Sequence, residues 1–249
     1  MGLLFSLLSL LYAVRGLQVA LAVGRYWAAL GGRRLSAQGR HLAGQASFYL
    51  AVPVSVLLHE LAHALAVWAF GGRVLTFGYR VFWGFVEHVG EYSPAERWFI
   101  ALAGTLGSLA FGGLIWLLLR RHPAAAFRYF GLRAFHYQIY FSLVYYPLFT
   151  LLGFYGDWRT IYDFGATPLL SGATAVAHVA GLLLFWRANR RDWFETPQFD
   201  SVEAEARHVQ AAAAAQAGRS DPEAQLALAM SQHAAGQPGQ AAGTLAALL

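Results

Sequence analysis

Cysteine is absent from the 249-residue chain, which excludes disulfides, thiolate metal ligands and thiol nucleophiles. Lysine is absent too, so all 18 basic residues are arginine. Charge is scarce: Asp, Glu and Arg make up 12% of the chain, about half the fraction found in soluble domains. Because 57% of the residues are hydrophobic, the sequence is typical of an integral membrane protein.

Five apolar segments are each long enough to cross a hydrocarbon core of about 30 Å. These segments are about residues 3–23, 45–70, 94–119, 135–164 and 168–186. We therefore expect an all-α polytopic membrane protein with about five transmembrane helices. Pro147, Gly153 and Gly156 predict breaks within the fourth segment.

Residues 73–89, RVLTFGYRVFWGFVEHV, are rich in β-branched and aromatic residues. They predict two short strands that form a membrane-associated β-hairpin. Such strands must be covered by protein or line a wet cavity when they lie within a membrane. Directly after them, Ser93, Pro94 and Glu96 form a capping-box pattern that begins the third segment.

The second segment contains LLHELAHALAV, residues 57–67, which places two histidines and a glutamate within an apolar run. An ionisable residue near the centre of a bilayer costs about 2.5–3.5 kcal/mol, so such residues usually mark a functional site. His59 and His63 are four residues apart and share one helix face, where both can ligate a metal ion. The alternative is that both histidines only hydrogen-bond to neighbouring helices.

Glu60 stands one position from His59, where it can activate a water molecule rather than bind the metal. Two imidazoles and a carboxylate with an open fourth position favour Zn²⁺, one ion per chain. The third ligand must come from another element of the structure. The candidates are His88, Glu87, Glu91, His136, Asp157, Asp163 and His178.

Depth in the membrane favours Asp157 as the third ligand. If the second and fourth segments end at residues 70 and 164, His63 and Asp157 each lie seven residues from an end. At 1.5 Å per residue, both are about 10 Å below the same surface. Asp163 follows Arg159 by four residues and can pair with it along a helix. His136 and His178 are expected to make contacts between helices.

These features resemble the site-2 protease family of intramembrane zinc metalloproteases over about residues 45–164. The resemblance rests on HELAH within an apolar span, the hairpin after it, SPAERWFIALAGTLGS at 93–108 and GDW at 156–158. It implies a zinc ion held by His59, His63 and Asp157, with Glu60 as general base. It also implies that an edge strand of the hairpin receives an unwound substrate segment.

The chain departs from the family's pattern at three places. The family's proline-rich run just before the aspartate is stretched here, because Pro147 stands ten residues ahead of Asp157. The family's Ala-Gly-Pro is Ala-Gly-Thr here, with Thr105 in place of the proline. The family's asparagine, which steadies the oxyanion, has no counterpart because Asn189 is the only asparagine in the chain. Ser142, Tyr145 and Tyr146 are the candidates to replace it.

Three functions are compatible with these patterns. The leading expectation is an intramembrane endopeptidase that cleaves peptide bonds in or near transmembrane segments of membrane-protein substrates. A catalytically silent scaffold or regulator of the same family is favoured by the missing asparagine and disfavoured by the intact HELAH motif. A metal transporter is disfavoured because the chain has no internal repeat and an odd number of spans.

The sequence divides into four parts. They are an N-terminal transmembrane helix with a basic connector (1–44), a three-span core (45–164), a fifth helix (165–193) and an alanine-rich helical tail (194–249). In the tail, Asp200 with Glu203 and Asp221 with Pro222 predict two helix starts, and Gly236 predicts a helix end.

The tail resembles one tetratricopeptide helical pair, and a single pair cannot bury its apolar face alone. We therefore expect residues 200–249 to bind a protein partner or a second copy of the chain; the alternative is a loosely helical alanine-rich tail.

Arginine distribution predicts the orientation in the membrane. With five spans, the connectors 24–44 and 120–134 and the tail share one face. Eleven arginines lie on it near the membrane, against at most four on the opposite face. The positive-inside rule then places the tail in the cytoplasm, and we expect a bacterial cell membrane. Because the arginines flank apolar spans, the pI of 9.7 reflects contact with the lipid bilayer rather than with nucleic acid.

Overall fold

The computed structural model describes residues 2–199, 201–218 and 221–248, which are mostly helical. In chain order the helices are α1 (Gly2–Arg25), α2 (Trp27–Leu30), α3 (Ala37–Tyr49), α4 (Ala51–Ala69), α5 (Pro94–Leu119), α6 (Ala125–Tyr140), α7 (Tyr146–Leu151), α8 (Trp158–Ile161), α9 (Pro168–Arg190), α10 (Val202–Ala217), α11 (Pro222–Ala234) and α12 (Pro238–Ala246). Strands β1 (Arg73–Tyr79) and β2 (Gly84–Val89) form a small antiparallel sheet.

Four helical segments of the described chain are long and apolar enough to cross a membrane. They are Ser6–Arg25, Ala37–Ala69, Pro94–Leu119 and Pro168–Arg190. Their outer faces expose large apolar side chains such as Leu21, Leu118 and Leu184. Such faces are consistent with contact with lipid and therefore with a membrane protein.

The second of these segments consists of α3 and α4, and it begins earlier than the sequence predicted. The side chain of Ser36 caps α3 by accepting a hydrogen bond from Gly39 N at 3.0 Å. The third segment, α5, starts as predicted, because Ser93 and Glu96 form a complete capping box. Helix α4 packs along α5, and this pair of helices provides most of the functional site described below.

The segment predicted over 135–164 is a broken helix, as Pro147 and Gly153 led us to expect. Helix α6 continues through a π-helical turn, Phe141–Tyr145, into α7, which ends at Leu151. Gly153 has a φ of +96°, which ends the helix and starts a non-helical loop. Pro147 cannot donate to the carbonyl of Leu143, and His178 Nε2 donates to that oxygen instead at 2.6 Å.

The two strands form the hairpin that the sequence predicted, with Arg73 opposite Val89 and Tyr79 opposite Gly84. The hairpin folds back along α4. Tyr79 donates a hydrogen bond to Pro53 O at 3.1 Å, so the turn of the hairpin reaches the first turn of α4. Strand β2 therefore runs beside the middle of α4, where the HELAH motif lies.

The tail forms three helices whose ends largely follow the predicted signals. Asp221 caps α11 by accepting from Glu223 N at 3.0 Å, and Gly236, with a φ of +78°, ends it. Ser201 caps α10 by accepting from Ala204 N at 3.1 Å. The other predicted cap, Asp200, lies outside the described residues.

The tail is fixed to the helical bundle by polar contacts. Asp192, just after α9, accepts a hydrogen bond from Gln240 N at 3.0 Å in the first turn of α12. Arg40 and Arg133 both pair with Glu195 in the segment that leads to the tail. These contacts hold the tail against the arginine-rich ends of the helices.

Candidate metal site

Three side chains from two distant parts of the chain converge on one point. His59 and His63 project from the same face of α4, as their spacing predicted. Asp157 reaches them from the loop between α7 and α8. Its Oδ2 lies 3.1 Å from His59 Nε2 and 3.1 Å from His63 Nε2. The three ligand atoms lie within 4.8 Å of one another and could hold a metal ion.

Neighbouring groups orient both imidazoles for such a role. His63 Nδ1 donates to the carbonyl oxygen of Ile100 at 2.7 Å, because a carbonyl oxygen can only accept. In the neutral imidazole this leaves the lone pair of His63 Nε2 facing Asp157. His59 Nδ1 contacts Ser108 Oγ at 3.3 Å. The Nε2 atoms of both histidines and a carboxylate oxygen of Asp157 are directed at one point and fit a cation between them. Hydrogen bonds at the far ring nitrogens are typical of metal ligands.

Gly104 allows α5 to pass directly over the two imidazoles. A Cβ atom at this position would lie 2.3 Å from His63 Nε2 and 2.5 Å from His59 Nε2. No side chain fits at these distances unless both rings move. The glycine is therefore part of the site, although the sequence alone indicated it only as a member of the SPAERWFIALAGTLGS segment.

We expect Gly104→Ala to weaken metal binding by about 10–100-fold, because overpacking of this kind costs about 1–3 kcal/mol and the added methyl group would displace both imidazoles. The measurement is metal content and affinity of the purified protein. Gly113→Ala is the matched control on the same helix, since a Cβ there has no atom within 4 Å. Equal metal affinity in the two variants would contradict the close approach at Gly104.

Glu60 lies beside the three ligand atoms but does not belong to their group. It is buried, with 6% of its surface exposed. The backbone of β2 packs on its carboxylate: a Cβ at Gly84 would lie 2.8 Å from Glu60 Oε1. Among the described residues no hydrogen bond joins the Glu60 carboxylate to another group, so its oxygens remain available to a bound water or substrate.

A cavity of about 410 Å³ connects these groups. Its wall includes His59, Glu60, His63 and Asp157 on one side and Gly84, Phe85, Val86 and His88 of β2 on the other. Its volume is within the range of about 300–1,000 Å³ that is usual for ligand pockets. The cavity is therefore large enough for a small ligand beside the three ligand atoms.

The other predicted ligands lie elsewhere or make different contacts. His88 lines the cavity but is not in the group of converging ligand atoms; partial burial, together with nearby His63, lowers its pKa. Glu87 and Glu91 are exposed. His136 Nε2 contacts Asn189 Oδ1 at 2.9 Å, which is the contact between helices that we expected.

Asp163 does not pair with Arg159, so that prediction was wrong. Helix α8 ends at Ile161, and Asp163 therefore lies beyond the helix on which the pair was based. Its Oδ1 accepts hydrogen bonds from Gly165 N at 3.1 Å and Ala166 N at 3.0 Å. The depth argument for Asp157 also assumed a helix that continues to residue 164, whereas Asp157 is held in a loop.

Of the three residues predicted to replace the missing asparagine, only Tyr146 lines the cavity. Its hydroxyl donates to Asp157 Oδ2 at 3.0 Å and accepts from Asp157 N at 3.1 Å. Tyr145 instead packs between Phe141 and Phe149. The sequence indicated Tyr146 as a site residue but not its contact with the predicted ligand.

Comparison of the chain with protein-family models, with curated proteins and with solved structures found no match.

Proposed function

We propose that the protein is an intramembrane zinc metalloendopeptidase of the site-2 protease type. In this proposal His59, His63 and Asp157 hold one Zn²⁺, and Glu60 is the general base. The observation that carries the proposal is the convergence of two imidazole nitrogens and a carboxylate oxygen beside a second, unpaired carboxylate. That combination is typical of hydrolytic zinc sites, which keep a fourth position open.

The ligand spacing fits a small tetrahedral ion such as zinc. Two ligands that each lie 2.0–2.1 Å from a tetrahedral zinc are about 3.3 Å apart. The two Nε2–Oδ2 distances of 3.1 Å are close to this value. When bound, zinc supplies Lewis acidity toward a water molecule and toward a peptide carbonyl.

Glu60 carries the proton in this mechanism. It accepts the proton of the attacking water as the new carbon–oxygen bond forms at the peptide carbonyl. It then gives that proton to the amine nitrogen as the carbon–nitrogen bond breaks, which returns the carboxylate to its starting state. The side chain of Glu60 is buried against β2, and this burial keeps bulk water away from the proton transfer.

The position of the hairpin supports a substrate path between β2 and the metal ligands. Gly84 contacts Glu60, the tenth residue of the 19-residue helix α4, so β2 reaches the middle of α4 within the second spanning segment. Backbone at that depth must be covered by protein or line a wet cavity. We propose that substrate, itself a transmembrane protein, pairs with a free edge of the hairpin. We also propose that the broken α6–α7 segment crosses the membrane. Together with the four apolar segments above, it brings the number of crossings to five.

We expect Phe85→Pro to reduce cleavage of long substrates at least about tenfold while zinc stays bound, because proline removes a backbone donor from the strand. Phe85→Ala is the matched control: it removes the ring and keeps the N–H group. Cleavage rates and zinc content of both variants provide the measurement. If Phe85→Pro cleaves like Phe85→Ala, substrate does not bind by strand addition.

We also propose that the tail lies in the cytoplasm, as the arginine distribution indicates. The chain has no native cysteine, so single cysteines report position cleanly. A cysteine in place of exposed Gln210 should react with an impermeant maleimide only after lysis, whereas one in place of exposed Glu91 should react in intact cells. The reverse pattern would place the tail outside.

The proposal is tested by reconstitution. Purified protein in lipid vesicles should cleave single-span substrates, lose that activity on zinc chelation and regain it when Zn²⁺ is restored. A catalytically silent scaffold would bind the same substrates without cleaving them, with or without added zinc. Cleavage that persists after complete removal of zinc would contradict the proposal.

A further inference from the structure

We propose that Tyr146 is the positioning residue that holds Asp157 in place for metal binding. The inference rests on the metal site of the proposed function, but it does not depend on proteolysis. Tyr146 makes two hydrogen bonds to the same residue. Its hydroxyl oxygen accepts from Asp157 N at 3.1 Å, and its one proton is donated to Asp157 Oδ2 at 3.0 Å.

The local backbone explains why Asp157 needs this support. Asp157 stands at the N-cap of α8, where an aspartate usually accepts a hydrogen bond from the first turn of its own helix. Here its side chain makes no such bond and turns toward the histidines instead. The preceding residues, 152–156, are non-helical and include Gly153 with a φ of +96°. The two bonds to Tyr146 replace the restraint that a capping bond would have provided.

The loop is shaped to lie against the tyrosine. A Cβ at Gly156 would lie 2.8 Å from Tyr146 Cε2 and 3.1 Å from its hydroxyl oxygen. The absence of a side chain at position 156 therefore brings Asp157 N within hydrogen-bonding distance of the phenol. A larger residue at 156 would separate the two partners.

Tyr146 is itself fixed by the break between α6 and α7. The π-helical turn Phe141–Tyr145 inserts an extra residue, which rotates the following side chains by about 100° relative to a continuous α-helix. The ring of Tyr146 then lies 5.7 Å from the ring of His59, between centroids. Tyr146 thus contacts the carboxylate and packs against one of the imidazoles of the same site.

The expected consequence concerns metal affinity. A group that hydrogen-bonds to a metal ligand, without binding the metal itself, contributes about 10–100-fold to metal affinity or activity. Tyr146→Phe keeps the ring and removes both hydrogen bonds. We expect this variant to bind zinc about 10–100-fold more weakly than the wild type.

Zinc affinity of the purified full-length chain is measured by competition with a chromophoric chelator, and the Co²⁺-substituted protein is examined by visible absorption for altered coordination. Tyr145→Phe is the matched control, because the ring of Tyr145 packs against the rings of Phe141 and Phe149. Gly156→Ala is a second variant that separates Asp157 from Tyr146 while keeping the hydroxyl. Both Tyr146→Phe and Gly156→Ala should weaken zinc binding and alter the Co²⁺ spectrum, and Tyr145→Phe should do neither.

The inference is overturned if Tyr146→Phe binds zinc as tightly as Tyr145→Phe, or if the Co²⁺ spectrum of Tyr146→Phe is the same as that of the wild type. Its failure is distinct from that of the proposed function. If the wild type binds zinc but cleaves no substrate, the role of Tyr146 stands and the protease proposal fails. If the wild type binds no zinc, both fall.

Discussion

Glu60→Gln is expected to abolish proteolysis while one zinc ion per chain remains bound. The amide is nearly isosteric with the carboxylate but cannot accept the proton of the attacking water. General acid–base catalysis of this kind contributes about 10²–10⁴-fold, so the cleavage rate should fall by that factor. The three ligand atoms belong to other residues, and zinc content should therefore not change.

The measurement is the cleavage rate of a single-span substrate in lipid vesicles, together with zinc content of the same preparations. Glu87→Gln is the matched control, because Glu87 is an exposed carboxylate on β2 near the same cavity. It should cleave at the wild-type rate. Equal rates for Glu60→Gln and the wild type would remove Glu60 from the mechanism and with it the enzymatic proposal.

Asp157→Ala is expected to lower zinc affinity by more than about 100-fold, because it removes a direct ligand. Loss of a group that only hydrogen-bonds to a ligand costs at most about 100-fold. The two imidazoles that remain cannot complete a site with three protein ligands. Activity should be lost together with the metal. Zinc content after dialysis against a weak chelator is the measurement.

Asp163→Ala is the comparison that makes this result specific. Asp163 lies six residues away and accepts two backbone hydrogen bonds, from Gly165 and Ala166, so its loss should cost about 1–2 kcal/mol of stability. Zinc should remain bound to this variant. Retention of zinc by Asp157→Ala, or its loss from Asp163→Ala, would show that the third ligand is not Asp157.

Local signals in the sequence predicted the parts of the fold that depend on neighbouring residues. The four-residue spacing of His59 and His63 sets their common face in any α-helix, wherever that helix packs. The capping box at Ser93 and Glu96 and the cap at Asp221 are also local, since each joins residues two or three positions apart. The richness of residues 73–89 in β-branched and aromatic side chains was sufficient to indicate the hairpin.

The features that depend on tertiary packing could not be read in this way. Depth in the membrane favours Asp157 only if its helix continues to residue 164, whereas the structure ends that helix at Leu151. The position of Asp157 depends on contacts with Tyr146, eleven residues earlier, across a loop that no periodicity describes. The close approach of Gly84 to Glu60 likewise arises only because the hairpin folds back along α4.

X-ray absorption at the zinc edge of the purified wild-type protein tests the metal centre most directly. The proposal predicts one zinc ion per chain with two imidazole nitrogens and carboxylate oxygen at about 2.0–2.1 Å. It also predicts that the imidazole scattering disappears when His59 and His63 are replaced by alanine. A protein that holds no zinc, or a zinc ion whose spectrum lacks imidazole, would contradict it.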